Sequence, residues 1–198
     1  TVPFFVQHDA ASSVAIVEPL LVPLIGARSV FAVDMPGSGR SDNLIGEGVA
    51  ASLADYAEAV RTLLDALELP AVNVYGMWGG GFVGSELALL YPERVRRLVM
   101  SNLFSHEGEE LSAFQRGYTP AVDPAWHGGH LLQCWHQMRD QGLFYPWFDR
   151  TQRGVIRREP FLVDEMVHRR VCALLQAGNM YRTAYQAHFI YPVADRIA

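Results

Sequence analysis

The 198-residue chain predicts an α/β fold, a parallel sheet with helices on both faces plus a helical lid, and three observations carry that prediction. Short β-rich runs alternate with helical stretches from residue 3 to about 105. Runs such as VFAV and VNVY are apolar at consecutive positions rather than alternating, the pattern of strands covered on both faces. After Ser105 the strand-like runs stop, and an aromatic-rich series of short helical segments follows. The predicted division is a partial α/β core over 1–105 and a helical cap or lid over 106–198.

In order, PFFVQ reads as a buried strand, met within a few residues of a start at Thr1 that is not a methionine. A helix follows within 13–26, then the strand SVFAVDM, a helix within 51–69, the strand AVNVYG, a helix from about 80 to 91, and the strand RRLVMSN. This βαβαβαβ order requires crossover helices, which pack a parallel sheet on its two faces. In the second half, Pro120, Pro124, Pro146 and Pro160 break the helices, and Gly108, Gly142 and Gly178 punctuate them further. No internal repeat or low-complexity linker divides the chain, so the second half is expected to pack on the sheet.

Half of the composition is apolar, enough for one sizeable core. Sixteen basic against twenty-one acidic residues give a net charge of −5, and no basic run or aromatic-interleaved basic stripe occurs, which argues against a nucleic-acid partner. Cys134 and Cys172 lie in apolar helical patterns and are expected as two buried thiols rather than a bridge, which fits a reducing cytoplasm. No apolar stretch approaches the ~20 residues of a membrane helix. No charged and apolar leader opens the sequence, so neither a membrane nor export is expected. The expected partner is a small-molecule substrate or ligand, with no cofactor and with a homodimer as the candidate assembly.

Three motifs sharpen the first half. Asp34-Met35-Pro36-Gly37-Ser38-Gly39-Arg40-Ser41-Asp42 turns sharply off a strand, since Pro36 pre-sets φ and the glycines permit positive φ. Gly76 to Gly81 form a glycine-rich turn between strand and helix. Tyr91-Pro92-Glu93-Arg94-Val95 stops that helix and leads into the next strand. In this order and spacing they resemble the α/β-hydrolase superfamily over about residues 3–105, where a D-x-P-G-x-G-x-S-D turn, a nucleophile elbow and a Y-P-E-R-V-like link follow one another.

The resemblance implies an oxyanion hole made by the backbone N–H near Ala10, in the loop Gln7-His8-Asp9-Ala10, and by the N–H of Gly79. Asp9 replaces a glycine there, and its carboxylate would repel a developing negative charge. His8 is a candidate catalytic residue, set against a satisfied interior histidine that fixes the loop. Aligning Gly76-Met77-Trp78-Gly79-Gly80 on the G-x-Nuc-x-G elbow puts Trp78 in the nucleophile's seat. An indole has no nucleophilic oxygen or sulfur, so serine catalysis at this position is excluded. In the register of branches that use Asp followed by Trp, Met77 takes the aspartate's place and a nucleophile is again missing. Ser85 lies well inside the following helix and is no substitute.

The position at which some members carry the catalytic acid, just past the strand after the elbow, holds Asn102, an amide that can orient a base. The family then returns with two more strands carrying the acid and the histidine, whereas this sequence reaches Ile197-Ala198 first. The native polypeptide is therefore expected to be longer at both ends. His106, His127, His130, His136, His168 and His188 all fall in the second half, so no histidine is expected to serve a residue at the elbow. His127 and His130 form an HxxH without a third ligand at a recognisable spacing, and no metal is expected.

Trp135, Phe144, Trp147, Tyr181 and Tyr185 are the candidate pocket wall, within a wider aromatic set of Trp126, Tyr145, Phe148, Phe189 and Tyr191. Arg139, Arg150 and Arg182 are candidates to meet an anionic group. The alternative is a lid with its own small core and solvated arginines. The Trp78 indole is expected to fill or narrow the pocket, with Gly79, Gly80 and Gly81 small to let it and the helix approach. Two functions stay open: a hydrolase-like enzyme without a serine nucleophile, and a non-catalytic binding protein that has lost the triad.

Overall fold

In a computed structural model, which describes residues 2–26, 28–160 and 162–197, four parallel strands form one sheet. The chain ends singled out above, Thr1 and Ala198, lie outside these residues. The strands are β1 (Phe4–Gln7), β2 (Val30–Ala32), β3 (Val72–Met77) and β4 (Val95–Ser101), in the order β2-β1-β3-β4. Phe5 stands opposite Phe31 on one side and Val74 on the other, and Tyr75 opposite Val99. The chain steps from β1 outward to β2 and then crosses to β3 on the far side. The loops after β1 and β3 therefore diverge, and a crevice opens beyond their carboxyl ends.

Helices α1 (Val14–Leu21), α2 (Leu53–Ala66) and α3 (Gly79–Leu90) make the crossovers. Successive residues of β1 serve opposite faces of the sheet. Val6 packs with Val17 and Leu21 of α1. Phe5 and Val74 pack with Tyr56, Ala57 and Val60 of α2 and with Phe82, Val83 and Leu87 of α3. Ser52 and Asp55 form a reciprocal capping box at the start of α2, and the buried residues that follow recur at helical spacing. α1 borrows its cap, since the Val14 N–H donates to Asp34 Oδ1 at 2.7 Å. The same aspartate accepts from the Arg40 N–H at 2.9 Å, and a Cβ on Gly39, whose φ is +54°, would meet its carboxyl carbon at 2.3 Å. The glycine of the Asp34 turn thus makes room for the carboxylate that caps α1.

Past Ser101 the described residues form helices: α4 (Gly108–Gly117), α5 (Gly129–Asp140), α6 (Asp164–Ala177), α7 (Met180–Phe189) and α8 (Val193–Ile197), with one isolated bridge between Phe144 and Val155. Pro120 and Pro124 separate α4 from α5, Pro146 and Pro160 separate α5 from α6, and Gly178 separates α6 from α7. Gly108 opens α4 instead of dividing two helices. α7 packs on α3 and α4, while α6 packs on α1 and α5. Near the C-terminus, Arg196 Nη2 reaches the buried Glu86 of α3 at 2.5 Å and the Tyr191 hydroxyl donates to it at 2.8 Å. Both cysteines are free; Cys134 is buried as expected, but Cys172 is only half-buried.

Candidate functional site

β3 leaves the sheet at Met77 and α3 begins at Gly79, so Trp78 alone makes the turn, at φ 48° and ψ −118°. Positive φ costs a bulky residue on the order of 1–3 kcal/mol and persists where its surroundings enforce it. Here the Trp78 N–H donates to the Ser101 carbonyl at 2.8 Å, and its own carbonyl accepts from the Gly81 N–H at 2.8 Å. This is the elbow read from the sequence. The reason for its glycines differs from the expected one. A Cβ on Gly80 would meet the Gln7 carbonyl at 2.5 Å, and one on Gly79 would meet His188 Cε1 at 2.0 Å. Close approach of the β1 end and of α7, rather than the indole, requires them. The indole is 37% exposed and lines a cavity of about 370 Å³, so it narrows the space without being buried.

The Asp9 carboxylate occupies the position where the resemblance placed an oxyanion. Its Oδ1 accepts from the Gly79 N–H at 2.9 Å and its Oδ2 from the Tyr185 hydroxyl at 3.0 Å. The Ala10 amide also favours the carboxylate. Both expected oxyanion donors are therefore directed at a side chain of the protein itself, at the positive end of α3. Desolvation outweighs these contacts and pushes the Asp9 carboxyl up to about 6. Burial and the Asp9 charge push the Tyr185 hydroxyl well above its ordinary value, and Tyr118, with its ring 5.2 Å from that of Tyr185, is raised for the same reasons.

Of the residues expected on the pocket wall, Phe144, Trp147 and Tyr185 line the cavity, together with Trp78 and Ala10. Trp135 and Tyr181 do not. Trp135 is half-buried at the edge of the core, and Tyr181 is fully buried with its hydroxyl donating to the Pro120 carbonyl. In the wider set Tyr145 and Phe189 reach the cavity, whereas Trp126 stands in solvent. The arginines are also placed differently. Arg139 and Arg150 flank the buried Asp140 carboxylate at 2.6 and 2.8 Å, and Arg182 is exposed. Arg170, which no sequence pattern singled out, is the arginine at the cavity.

His8 holds a loop and does not face the cavity. The Met35 N–H donates to its Nε2 at 2.9 Å, which places the ring proton on Nδ1, 2.6 Å from the Asp9 carbonyl. Burial lowers its pKa. Asn102 is exposed, at φ 63°, and its amide donates to Ser101 Oγ at 3.0 Å, away from the cavity. The two histidines of the HxxH bind backbone, with His127 Nδ1 accepting from Gly129 and His130 Nδ1 from Ala125 at 3.1 Å each. No group of three or more His, Cys, Asp or Glu side chains that could hold a metal occurs among the described residues.

A histidine does stand beside the elbow, contrary to expectation. His188 of α7 is buried against Gly79 and stacks on Phe82 with ring centroids 6.0 Å apart; neither ring nitrogen has a hydrogen-bond partner among the described residues. Burial pushes it down to about 3, so it is neutral. The spacing of Tyr181, Tyr185 and His188 on one face of a helix was the available signal for its inward direction.

Residues 10–126 match the model of the family described as the alpha/beta hydrolase fold. The chain belongs to this family, and its relatives include hydrolases. It is 40% identical over 94 residues to RutD of Variovorax paradoxus, described as a carbamate hydrolase, a match covering 47% of this chain and 35% of that protein. It is 33% identical over 79 residues to a 2-hydroxy-6-oxononadienedioate/2-hydroxy-6-oxononatrienedioate hydrolase of Pseudomonas putida, covering 39% of this chain and 27% of that one. The matched stretches thus span about a third of these relatives' length. In three dimensions it is similar to the crystal structure of a hydrolase from Pseudomonas aeruginosa, with a TM-score of 0.69 and 21% identity over 99% of this chain and 67% of that chain. At that identity the likeness concerns the fold.

Proposed function

We propose that this protein is a hydrolase-like enzyme acting on a small organic molecule held under an aromatic lid, residues 106–198, with Asp9 as a general base in place of a serine nucleophile. The reading rests on the Asp9 carboxylate at the cavity wall, held by Gly79 and Tyr185 and raised to about 6. A base that titrates there is largely ionised at neutral pH and still basic enough to take a proton from water. The water oxygen then adds to an electrophilic acyl carbon of the substrate as its proton passes to Asp9. The bond from that carbon to the leaving oxygen or nitrogen breaks, and Asp9 returns the proton to the departing group, while Tyr185, held protonated, keeps the carboxylate oriented. No covalent intermediate forms on Trp78. From the named activities of the relatives, on a carbamate and on dienedioates, only the class of small organic substrates is carried over. A cytoplasmic location and a homodimer belong to the same proposal.

A second reading, a non-catalytic binding protein, is favoured by one observation: the Gly79 amide already donates to Asp9, leaving that donor unavailable to a substrate oxyanion. One experiment separates the two. Wild type and Asp9→Asn are offered a panel of esters, lactones and carbamates, with turnover and intact mass followed together. We expect turnover of at least one compound, a loss of about 100-fold or more in the variant, and no acyl adduct. Turnover indifferent to Asp9→Asn, or a serine labelled by a fluorophosphonate, overturns the enzyme reading. Saturable binding without turnover selects the second.

A further inference from the structure

All sixteen basic side chains of the protein are arginines. Arg61, Arg94, Arg139, Arg150, Arg169 and Arg196 each have a carboxylate within ion-pair distance. Arg170 has none among the described residues, although it is half-buried on α6 and, among those residues, is the one arginine lining the cavity, which His106 also lines. Its guanidinium donates instead to the neutral amide of Gln141. A guanidinium drawn out of bulk water without a counter-ion is costly, and the arrangement becomes favourable when an anion completes it. The positive charge is also felt across the site, favouring the ionised forms of Asp9, Tyr118 and Tyr185. Met138, Phe144 and Trp147 add apolar surface to the same cavity lining.

We infer that the cavity takes small organic molecules with an apolar body and a single carboxylate, the carboxylate seated on Arg170 and the body along the aromatic wall. The inference rests on the reading of this cavity as a small-molecule site and adds its substrate class. A planar fork of donors matches a carboxylate with two parallel hydrogen bonds. One guanidinium cancels one negative charge. A doubly charged phosphate would keep an uncompensated charge beside Asp9. Arg170 is thus a specificity-determining residue, with the reacting carbon directed toward Asp9 of the same cavity.

The test is calorimetric binding of a matched acid and amide, 4-phenylbutyrate and 4-phenylbutanamide, to wild type, Arg170→Gln and Arg170→Lys. We expect wild type to bind the acid about 10-fold or more tightly than the amide, as one charge-assisted contact implies. Arg170→Gln is expected to lose that preference and still bind the amide, while Arg170→Lys retains part of it. Equal affinities in wild type, no binding of either compound, or a preference that survives Arg170→Gln overturns the inference. Where Arg170→Gln binds neither compound, Arg170→Lys decides: a retained preference supports the assignment and a lost one overturns it. Amide binding without acid preference sinks this inference alone, because the Asp9→Asn turnover assay is read without reference to charge selectivity.

Discussion

Trp78 occupies a strained turn with its side chain over a third exposed, and that combination fixes what its replacement does. A fully buried aromatic ring costs about 3–5 kcal/mol to remove. This one leaves part of its surface to the cavity, so Trp78→Ser is expected to cost about 1–3 kcal/mol, scaled down for exposure. At roughly 2–4 °C per kcal/mol for a chain of this size, the thermal midpoint falls by several degrees. No esterase results, for two reasons. His188, the histidine beside the elbow, is pushed down to about 3, too weak a base to deprotonate a serine, and the Gly79 amide is bound to Asp9. Thermal midpoint and nitrophenyl-acetate turnover of the variant check both statements; turnover well above background refutes the second. Position 78 was legible because elbow glycines have a fixed spacing. The aspartate in place of glycine at position 9 was legible as an anomaly. Its partner was not, since Tyr185 lies 176 residues further along the chain and no local spacing joins them.

At the scale of elements, the glycines that open α3 do different work, and substitution separates them. A Cβ on Gly80 would lie 2.5 Å from the Gln7 carbonyl and 2.6 Å from the His8 carbonyl, both backbone atoms that cannot turn away. On Gly81 the nearest atoms are the Gly76 carbonyl at 3.3 Å and Met100 Cβ at 3.5 Å. Gly80→Ala is therefore expected to destabilise by about 1–3 kcal/mol or more through forced separation of α3 from β1. Gly81→Ala stays within about 1 kcal/mol of wild type, because the gain in helix propensity offsets the tight contact. Urea unfolding of the two variants gives the comparison, and equal losses would show that the β1 end yields to a methyl group. The elements themselves were readable, because unbroken apolar runs and proline and glycine punctuation are local signals. Which helix face meets the cavity was not readable. Trp135 and Tyr185 both sit in apolar helical patterns, yet only Tyr185 turns toward Asp9, a choice made by the packing of α7 on α3. Arg170 carried no signal of its own in the basic run His168-Arg169-Arg170, whose first two residues are exposed.

For the whole molecule, the order β2-β1-β3-β4 places the β1 loop and the elbow at one crevice, and α7, packed on α3, brings Tyr185 and Phe189 to the cavity there. Two titratable groups, the half-buried Asp9 and the buried His188, are thereby brought against the same glycine, and they couple stability to pH in opposite senses. His188 falls from 6.5 to about 3 on folding, so the unfolded chain binds the extra proton between these values, and stability is lost as pH drops through that window. Asp9 rises from 3.8 to about 6, so the folded chain binds the extra proton, and stability is lost as pH climbs through 3.8 to 6. A shift of that size corresponds to about 3 kcal/mol at most. Asp9→Asn keeps the shape and an acceptor for the Gly79 amide while removing the charge. Its stability relative to wild type should therefore be constant below about pH 4, rise between about pH 4 and 6, and level off above about pH 7 at a gain of roughly 2–3 kcal/mol over its low-pH value. Urea midpoints of both proteins from pH 3.5 to 8 measure the difference directly, with His188 cancelling because it is present in each. A gap that does not change with pH would mean that the Asp9 carboxyl titrates as it does in an unfolded chain, and the base assigned to this cavity would then be no stronger than any surface aspartate.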